Sequence, residues 1–242
     1  RAYAALGLRD EAQAAEREAV VTADGAGGVH LPMIACFHEW LKPALYLEVG
    51  VATGRSLALA RPPGVAIGID PAPAITETMA AETRLFTMTS DAYFASQPTP
   101  PIDLAFIDGM HSFDQALRDF INIERLCRPE SVILIHDCWP RDAQTATRER
   151  RTMFWTGDVW KLIPILRATR PDLFVRTLTT PPSGLGVVTR LDPSSTVLAD
   201  HYDRLVAEHM DRPFADLDAD REGLMAPVDD DFDQIRALME TA

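Results

Sequence analysis

The 242-residue chain has few cysteines: Cys36, Cys127 and Cys138 are the only three. They show neither the paired spacing of a zinc site nor a disulfide framework, which fits a reducing, cytoplasmic setting. No apolar run is long enough to cross a bilayer, so a membrane is not an expected partner. No signal peptide stands out, in a sequence that opens on Arg1 rather than Met. Basic charge is also short. Against 36 Asp and Glu there are 23 Lys and Arg, giving a net charge of -13. Such a surface repels a phosphate backbone, so nucleic acid is not an expected partner either. The excess charge reads as a solubility feature. Internal repeats and low-complexity blocks are missing. What remains, 47% hydrophobic and 24% charged residues, is enough to bury the core of one large globular domain.

Three regions follow from the change of rhythm along the chain. Residues 1–43 read as a helical extension: "RDEAQAAEREAV" is rich in helix formers, "ADGAGG" breaks it, and "LPMIACFHEWLK" is helical again. Residues 44–191 alternate short apolar runs with helical segments. The runs are "ALYLEVG", "GVAIGID", the weaker "RLFTMTSDA", "IDLAFID" and "SVILIHD". Continuous apolar strands alternating with helices predict an α/β fold with a mostly parallel sheet covered on both faces. "LFVRTLTTPPSGLGVVTRL" then predicts an antiparallel hairpin around its Pro-Pro-Ser-Gly turn. Residues 192–242 form an acidic tail ending in a short helix, read equally as a lid, a contact within a homo-oligomer or a solvated appendage.

In open parallel sheets, ligands bind beyond the carboxyl ends of the strands. Those ends hold Glu48, Asp70, Asp108 and Asp137. The first strand runs into "LEVGVATGRS", where Gly50 and Gly54 let the backbone turn sharply and approach a ligand. The middle glycine of the nicotinamide pattern is absent, which argues against a nicotinamide-dependent oxidoreductase. Asp70 lies 22 residues after Glu48, near the spacing at which an acidic residue reaches a ribose diol.

Taken in order, E-x-G-x-x-x-G-x-S at 48–56, "GID" at 68–70, "SDA" at 90–92, "IDLAFIDGMH" at 102–111 and "ILIHDCW" at 133–139 resemble the class I S-adenosylmethionine-dependent methyltransferases. The first motif has the form seen in the catechol O-methyltransferase group, and the whole is similar to bacterial O-methyltransferases of antibiotic sugars and polyketides. The resemblance implies a Rossmann-like, doubly wound sheet of seven strands with its last strand inserted antiparallel. It implies that Glu48, Gly50, Gly54 and Ser56 hold the methionine part of S-adenosylmethionine. Asp70 would bind the ribose and Asp91, with Ala92, the adenine. Asp108 would close the cofactor site.

Asp108 and Asp137 end strands that should be neighbours. Two converging carboxylates repel unless a proton or cation sits between them, and hard oxygen ligands suit Mg2+ or a similar ion. The resemblance places metal ligands at Asp108, Asp137 and Cys138. The last of these is a soft thiol where relatives carry an amide or carboxylate, so His136, Asp142, water or substrate would have to compensate. "SFDQ" has the form of a capping box, Ser112 with Gln115, so His111 is left on the loop before a helix. A near-neutral imidazole there suits a general base. His136, next to Asp137 on the same strand, should point the other way and serve a structural role.

The long stretch after Asp137 could cover a substrate pocket, with Trp139 near the site. Its Arg148, Arg150 and Arg151 read as a solvated face rather than a substrate contact. The expected activity is methyl transfer to a hydroxyl of a small-molecule acceptor: a natural-product sugar, polyketide or phenol. The alternative is a methyltransferase-like protein of antibiotic biosynthesis that binds or regulates, or runs another reaction, without methyl transfer.

Overall fold

A computed structural model describes residues 30–97 and 99–241. The helical reading of residues 1–29, with its "ADGAGG" break, lies outside the described residues. Helix α1 spans Leu31–Leu41. Five parallel strands follow: β1 Leu45–Val49, β2 Val65–Ile69, β3 Glu82–Phe86, β4 Ile102–Ile107 and β5 Cys127–His136. Helix α2, Ser90–Ser96, precedes β4, and α3, Phe113–Glu124, precedes β5. After β5 come helix α4 (Leu162–Thr169) and the hairpin β6 (Phe174–Leu178) and β7 (Leu185–Thr189).

The order is β3-β2-β1-β4-β5-β7-β6-β8, so β7 inserts antiparallel between β5 and β6. Among the described residues the sheet has eight strands rather than the expected seven. The extra one, β8 (Pro227–Val228), comes from the acidic tail and pairs with β6.

Period-two alternation divides the core into two faces. Leu47, Val49, Ala105, Ile107, Ile133 and Ile135 join Phe113, Phe120, Leu162 and Leu166 of α3 and α4 on one side. Tyr46, Leu104, Phe106, Val132 and Leu134 join Met33, Ile34 and Phe37 of α1 on the other. The tail contributes to both. Its helices α5 (Val197–Asp200), α6 (Tyr202–His209), α7 (Phe214–Ala219) and α8 (Arg221–Met225) bury Leu198, Leu205, Leu217 and Met225 on the α3 side. Beyond β8, helix α9 (Phe232–Thr241) sets Phe232 edge-on to Phe37, ring centroids 5.2 Å apart, on the α1 side. Among the described residues, no helix is long and apolar enough to cross a membrane.

Two local expectations differ. No α-helix follows the glycine loop; only a 3-10 turn, Leu57–Leu59, does. Pro62 and Pro63 lie just ahead, and proline lacks the N–H that a continuing helix would need. The segment "GDVWKLIPIL", which reads as a packed helix from near Thr156, becomes α-helical only at Leu162, behind a 3-10 turn at Val159–Lys161, with Pro164 tolerated in its first turn.

Register then positions the chemistry. Val49 is level with Ile69 and Ile107, and Ile107 with Ile135. Gly50, Asp70, Asp108 and the His136–Asp137 pair therefore leave the sheet along one edge.

Candidate active site

A cavity of about 1080 Å³ opens at this edge, and of the expected site residues Gly50, Ser56, Asp70, Asp91, Asp108 and His111 line it. Gly50 and Gly54 both have φ of +86°. A Cβ on Gly50 would lie 1.9 Å from the Asp108 carbonyl oxygen, so only glycine lets the first loop cross the fourth strand's end.

Asp70 clamps that loop. Its Oδ2 accepts from the Val51 and Ala52 N–H groups at 2.8 and 2.9 Å, and Oδ1 accepts from Ala72 N–H. A carboxylate has further lone pairs, so a hydroxyl donor can still bind there. Glu48 sits beneath the loop, fully buried, and accepts from Tyr46 Oη at 2.6 Å and Ser56 Oγ at 2.7 Å. Burial pushes its carboxyl up to about 8, against those two hydrogen bonds. Thr89, not Asp91, caps α2 by accepting from Ala92 N–H. Asp91 is half exposed and lies 3.3 Å from Arg118 Nε.

On the far side Asp108, His111 and Asp137 converge, with one ligand atom from each lying within 4.8 Å of the others. His111 Nε2 is 3.7 Å from Asp108 Oδ1. His111 Nδ1 is 2.8 Å from Asp137 Oδ2 and 3.2 Å from the Trp155 carbonyl oxygen. One N–H cannot aim at both. Its direction favours Trp155, which leaves Asp137 Oδ2 buried without a hydrogen bond. Burial disfavours a charged His111, but the Asp137 and Asp108 carboxylates outweigh it and push the ring up to about 9. Asp108 is held well below the usual carboxylate range: burial opposes ionisation, and the charges and hydrogen bond of the neighbouring histidines, His136 first, overcome it. His111 and Asp137 both adopt left-handed backbone, at φ 53° and 60°, which non-glycine residues keep only where surrounding contacts enforce it.

The enforcing contacts come from the stretch after Asp137. Asp158 N–H donates to the His111 carbonyl, and a Cβ on Gly157 would lie 1.7 Å from that oxygen. The Trp155 indole stacks on the imidazole, centroids 5.1 Å apart and 8° from parallel. Asp158 Oδ1 also accepts from Phe113 N–H at 3.0 Å and so caps α3 from 45 residues away. The expected capping box does not form. Ser112 is the N-cap residue without a side-chain bond, and Gln115 turns instead toward Ser90, Asp91 and Asp119.

Cys138 does not join the ligand group. Asp137's left-handed turn sends the thiol into the core, fully buried, where it donates to the Ile135 carbonyl at 3.3 Å. Burial pushes it above the ordinary thiol range, the opposite of a ligand thiolate. His136 faces Asp108, with Nδ1 3.1 Å from Asp108 Oδ1 and Nε2 3.2 Å from Ser183 Oγ, and so orients that carboxylate. Asp142 is occupied in its own turn, accepting from Gln144 and Thr145 N–H. Trp139 packs on the core under Arg221. Arg148 pairs with Asp114 at 2.8 Å and Asp158 at 3.4 Å, a structural use the sequence did not suggest. His30, Gln115 and Asp119 line the cavity without having been read as site residues in the sequence, where Gln115 figured only as a capping partner. Of these, Gln115 and Asp119 could have been found, lying four apart on one helix face.

The two carboxylates fit a divalent cation, one of them with a buried oxygen that has no hydrogen bond, and the imidazole stands beside them. Residues 47–138 match a family described as a methyltransferase domain. No curated protein sequence matches the chain. Among solved structures, the fold is similar to the O-methyltransferase from Bacillus cereus in complex with SAH, at 16% identity over 74% of this chain and 88% of that one, TM-score 0.50. It is similar to the O-methyltransferase TomG from Streptomyces achromogenes, involved in tomaymycin synthesis and solved with SAM, at 16% identity over 74% and 87%, TM-score 0.53. The SAH-bound methyltransferase PaMTH1 from Podospora anserina matches at 14% identity over 67% and 78%, TM-score 0.52.

Proposed function

We propose that the chain is a class I S-adenosylmethionine-dependent methyltransferase, a reading supported by the methyltransferase-domain match over residues 47–138 and by the sheet order, and that it transfers a methyl group to a hydroxyl of a small-molecule acceptor, a natural-product sugar, polyketide or phenol. The observation that carries this reading is the position of His111. Its ring lines the cavity below the glycine loop, between two carboxylates and under Trp155.

S-adenosylmethionine would supply an electrophilic methyl on a sulfonium. Gly50, Gly54 and Ser56, braced by Glu48, shape the loop for its methionine end, and Asp70 keeps capacity for its ribose. Asp108 and Asp137 would hold a divalent cation, which supplies charge stabilisation for an acceptor oxyanion. His111 takes the acceptor proton when its imidazole is neutral, and Trp155 fixes the plane of the ring. Met110, 72% exposed beside His111, and Leu31 give the acceptor an apolar flank.

Calorimetry with S-adenosylmethionine and S-adenosylhomocysteine, followed by methyl transfer to a panel of hydroxylated acceptors, tests the proposal. His111→Ala should lose roughly 10²–10⁴ in rate and keep its cofactor affinity. Absence of binding of either compound at millimolar concentration overturns it. Binding without transfer to any acceptor favours the non-catalytic alternative.

A further inference from the structure

We infer that Asp119, oriented by Gln115, selects the amino purine of the cofactor, the role that the resemblance gives to Asp91. The inference rests on the cofactor reading above and concerns one wall of the same cavity. Asp119 and Gln115 lie one turn apart on α3, facing the end of β3 across the cavity wall. Gln115 Nε2 is 3.1 Å from Asp119 Oδ1, 3.2 Å from Ser90 Oγ and 3.2 Å from Asp91 Oδ1. An amide carries two hydrogens, so three acceptors compete for two donors. The Gln115 carbonyl is engaged by Arg118 at 3.0 Å and adds no donor.

The two aspartates differ in what they have to spare. Asp91 is half exposed, and the Arg118 guanidinium stands beside it in solvent. Asp119 is 1% exposed yet lines the cavity, and among the described residues no cation pairs with it directly. A carboxylate bonded by two donors keeps further lone pairs, and a ligand that brings an N–H into its reach can fill one of them. Burial already lifts its carboxyl to about 6, although Ser90 and Gln115 both bond it. An exocyclic amine donates two hydrogens and fits such a wall. A carbonyl at the same purine position would oppose acceptor to acceptor.

The test compares S-adenosylhomocysteine with its deaminated 6-oxo counterpart, S-inosylhomocysteine, by calorimetry on one preparation of each variant. A ratio of two affinities does not depend on how much of a preparation is folded. The wild type should prefer the amino compound by roughly 10–100-fold. Asp119→Asn, whose amide can meet either partner, should bring the ratio within about threefold, while Asp91→Asn should leave it near the wild-type value. An unchanged ratio in Asp119→Asn, a collapse confined to Asp91→Asn, or no preference in the wild type overturns the inference while the cofactor reading stands. Binding of neither compound by the wild type overturns both.

Discussion

The rings of His111 and Trp155 lie face to face, 5.1 Å apart and 8° from parallel, although 44 residues separate them in the chain. The stack is the end of a longer clasp. Asp158 and Gly157 close on the His111 backbone, and the Trp155 carbonyl takes the Nδ1 side of the ring. Replacing Trp155 by Ala should therefore free the imidazole without touching the cofactor loop. An aromatic pair of this kind is worth about 0.5–1.5 kcal/mol. The expected result is a loss of up to ~10-fold in kcat with unchanged affinity for S-adenosylhomocysteine, and recovery in Trp155→Phe. A variant that loses cofactor affinity equally would assign Trp155 to the binding wall instead.

The contact between Gly50 and Asp108 leads to a different kind of prediction. Gly50 has φ +86°, and any Cβ there meets a backbone carbonyl at 1.9 Å rather than a side chain that could move. Gly50→Ala should be destabilised by at least ~1–3 kcal/mol from backbone strain alone. At roughly 2–4 °C per kcal/mol, thermal unfolding should show it clearly. Cofactor affinity should fall as well, because the loop can relieve the clash only by leaving the strand end. A variant with unchanged Tm and unchanged affinity would show that the loop does not depend on this approach.

The strands were the most legible part of the sequence. β1, β2, β4 and β5 are short apolar runs, and Glu48, Asp70, Asp108 and Asp137 at their ends marked the edge where the cavity opens. The hairpin after α4 was equally plain, because Pro181, Pro182 and Gly184 sit between two β-rich runs. Contacts made at long range were not legible. Asp158 caps α3 where Ser112 and Gln115 matched the local capping pattern, because a buried carboxylate from a distant loop reached the same N–H first. Cys138 was placed in the ligand group only by its position in the resemblance, which carries no backbone geometry. The left-handed Asp137 turns the thiol inward. The tail gave no periodic sign that it would add a strand and cover both faces.

The ligand group makes a prediction about metal. Asp137 Oδ2, buried and without a hydrogen bond, gives a cation a ready acceptor, and the two hard carboxylates suit Mg2+ or Mn2+. Chelator-treated protein should lose methyl transfer, and one of these ions should restore it. Calorimetry should show the ion bound to wild type and lost in Asp137→Asn by more than the ~10–100-fold typical of removing an outer partner. Undiminished transfer after chelation, with no ion bound, would make the chemistry metal-free.

Glu48 links stability to pH, and the sign follows from its burial. Its carboxyl titrates near 4.5 when solvated and is pushed up to about 8 in the fold. Below pH 4.5 both states carry the proton, and Glu48 costs the fold nothing. Between 4.5 and about 8 the unfolded chain releases the proton while the folded one keeps it, so stability falls as pH rises. Above about 8 the loss is complete. Other buried groups titrate as well: His30 and His38, depressed by burial, act below pH 6.5, and His111 and His136, raised to about 9, act above it. The difference between wild type and Glu48→Gln cancels those contributions. That amide matches the carboxyl in shape and can still accept from Tyr46 or Ser56. The Tm of Glu48→Gln relative to wild type should therefore climb from pH 5 to pH 8 and level off beyond. A difference that stays flat across that range would mean that Glu48 is ionised in the folded protein at neutral pH.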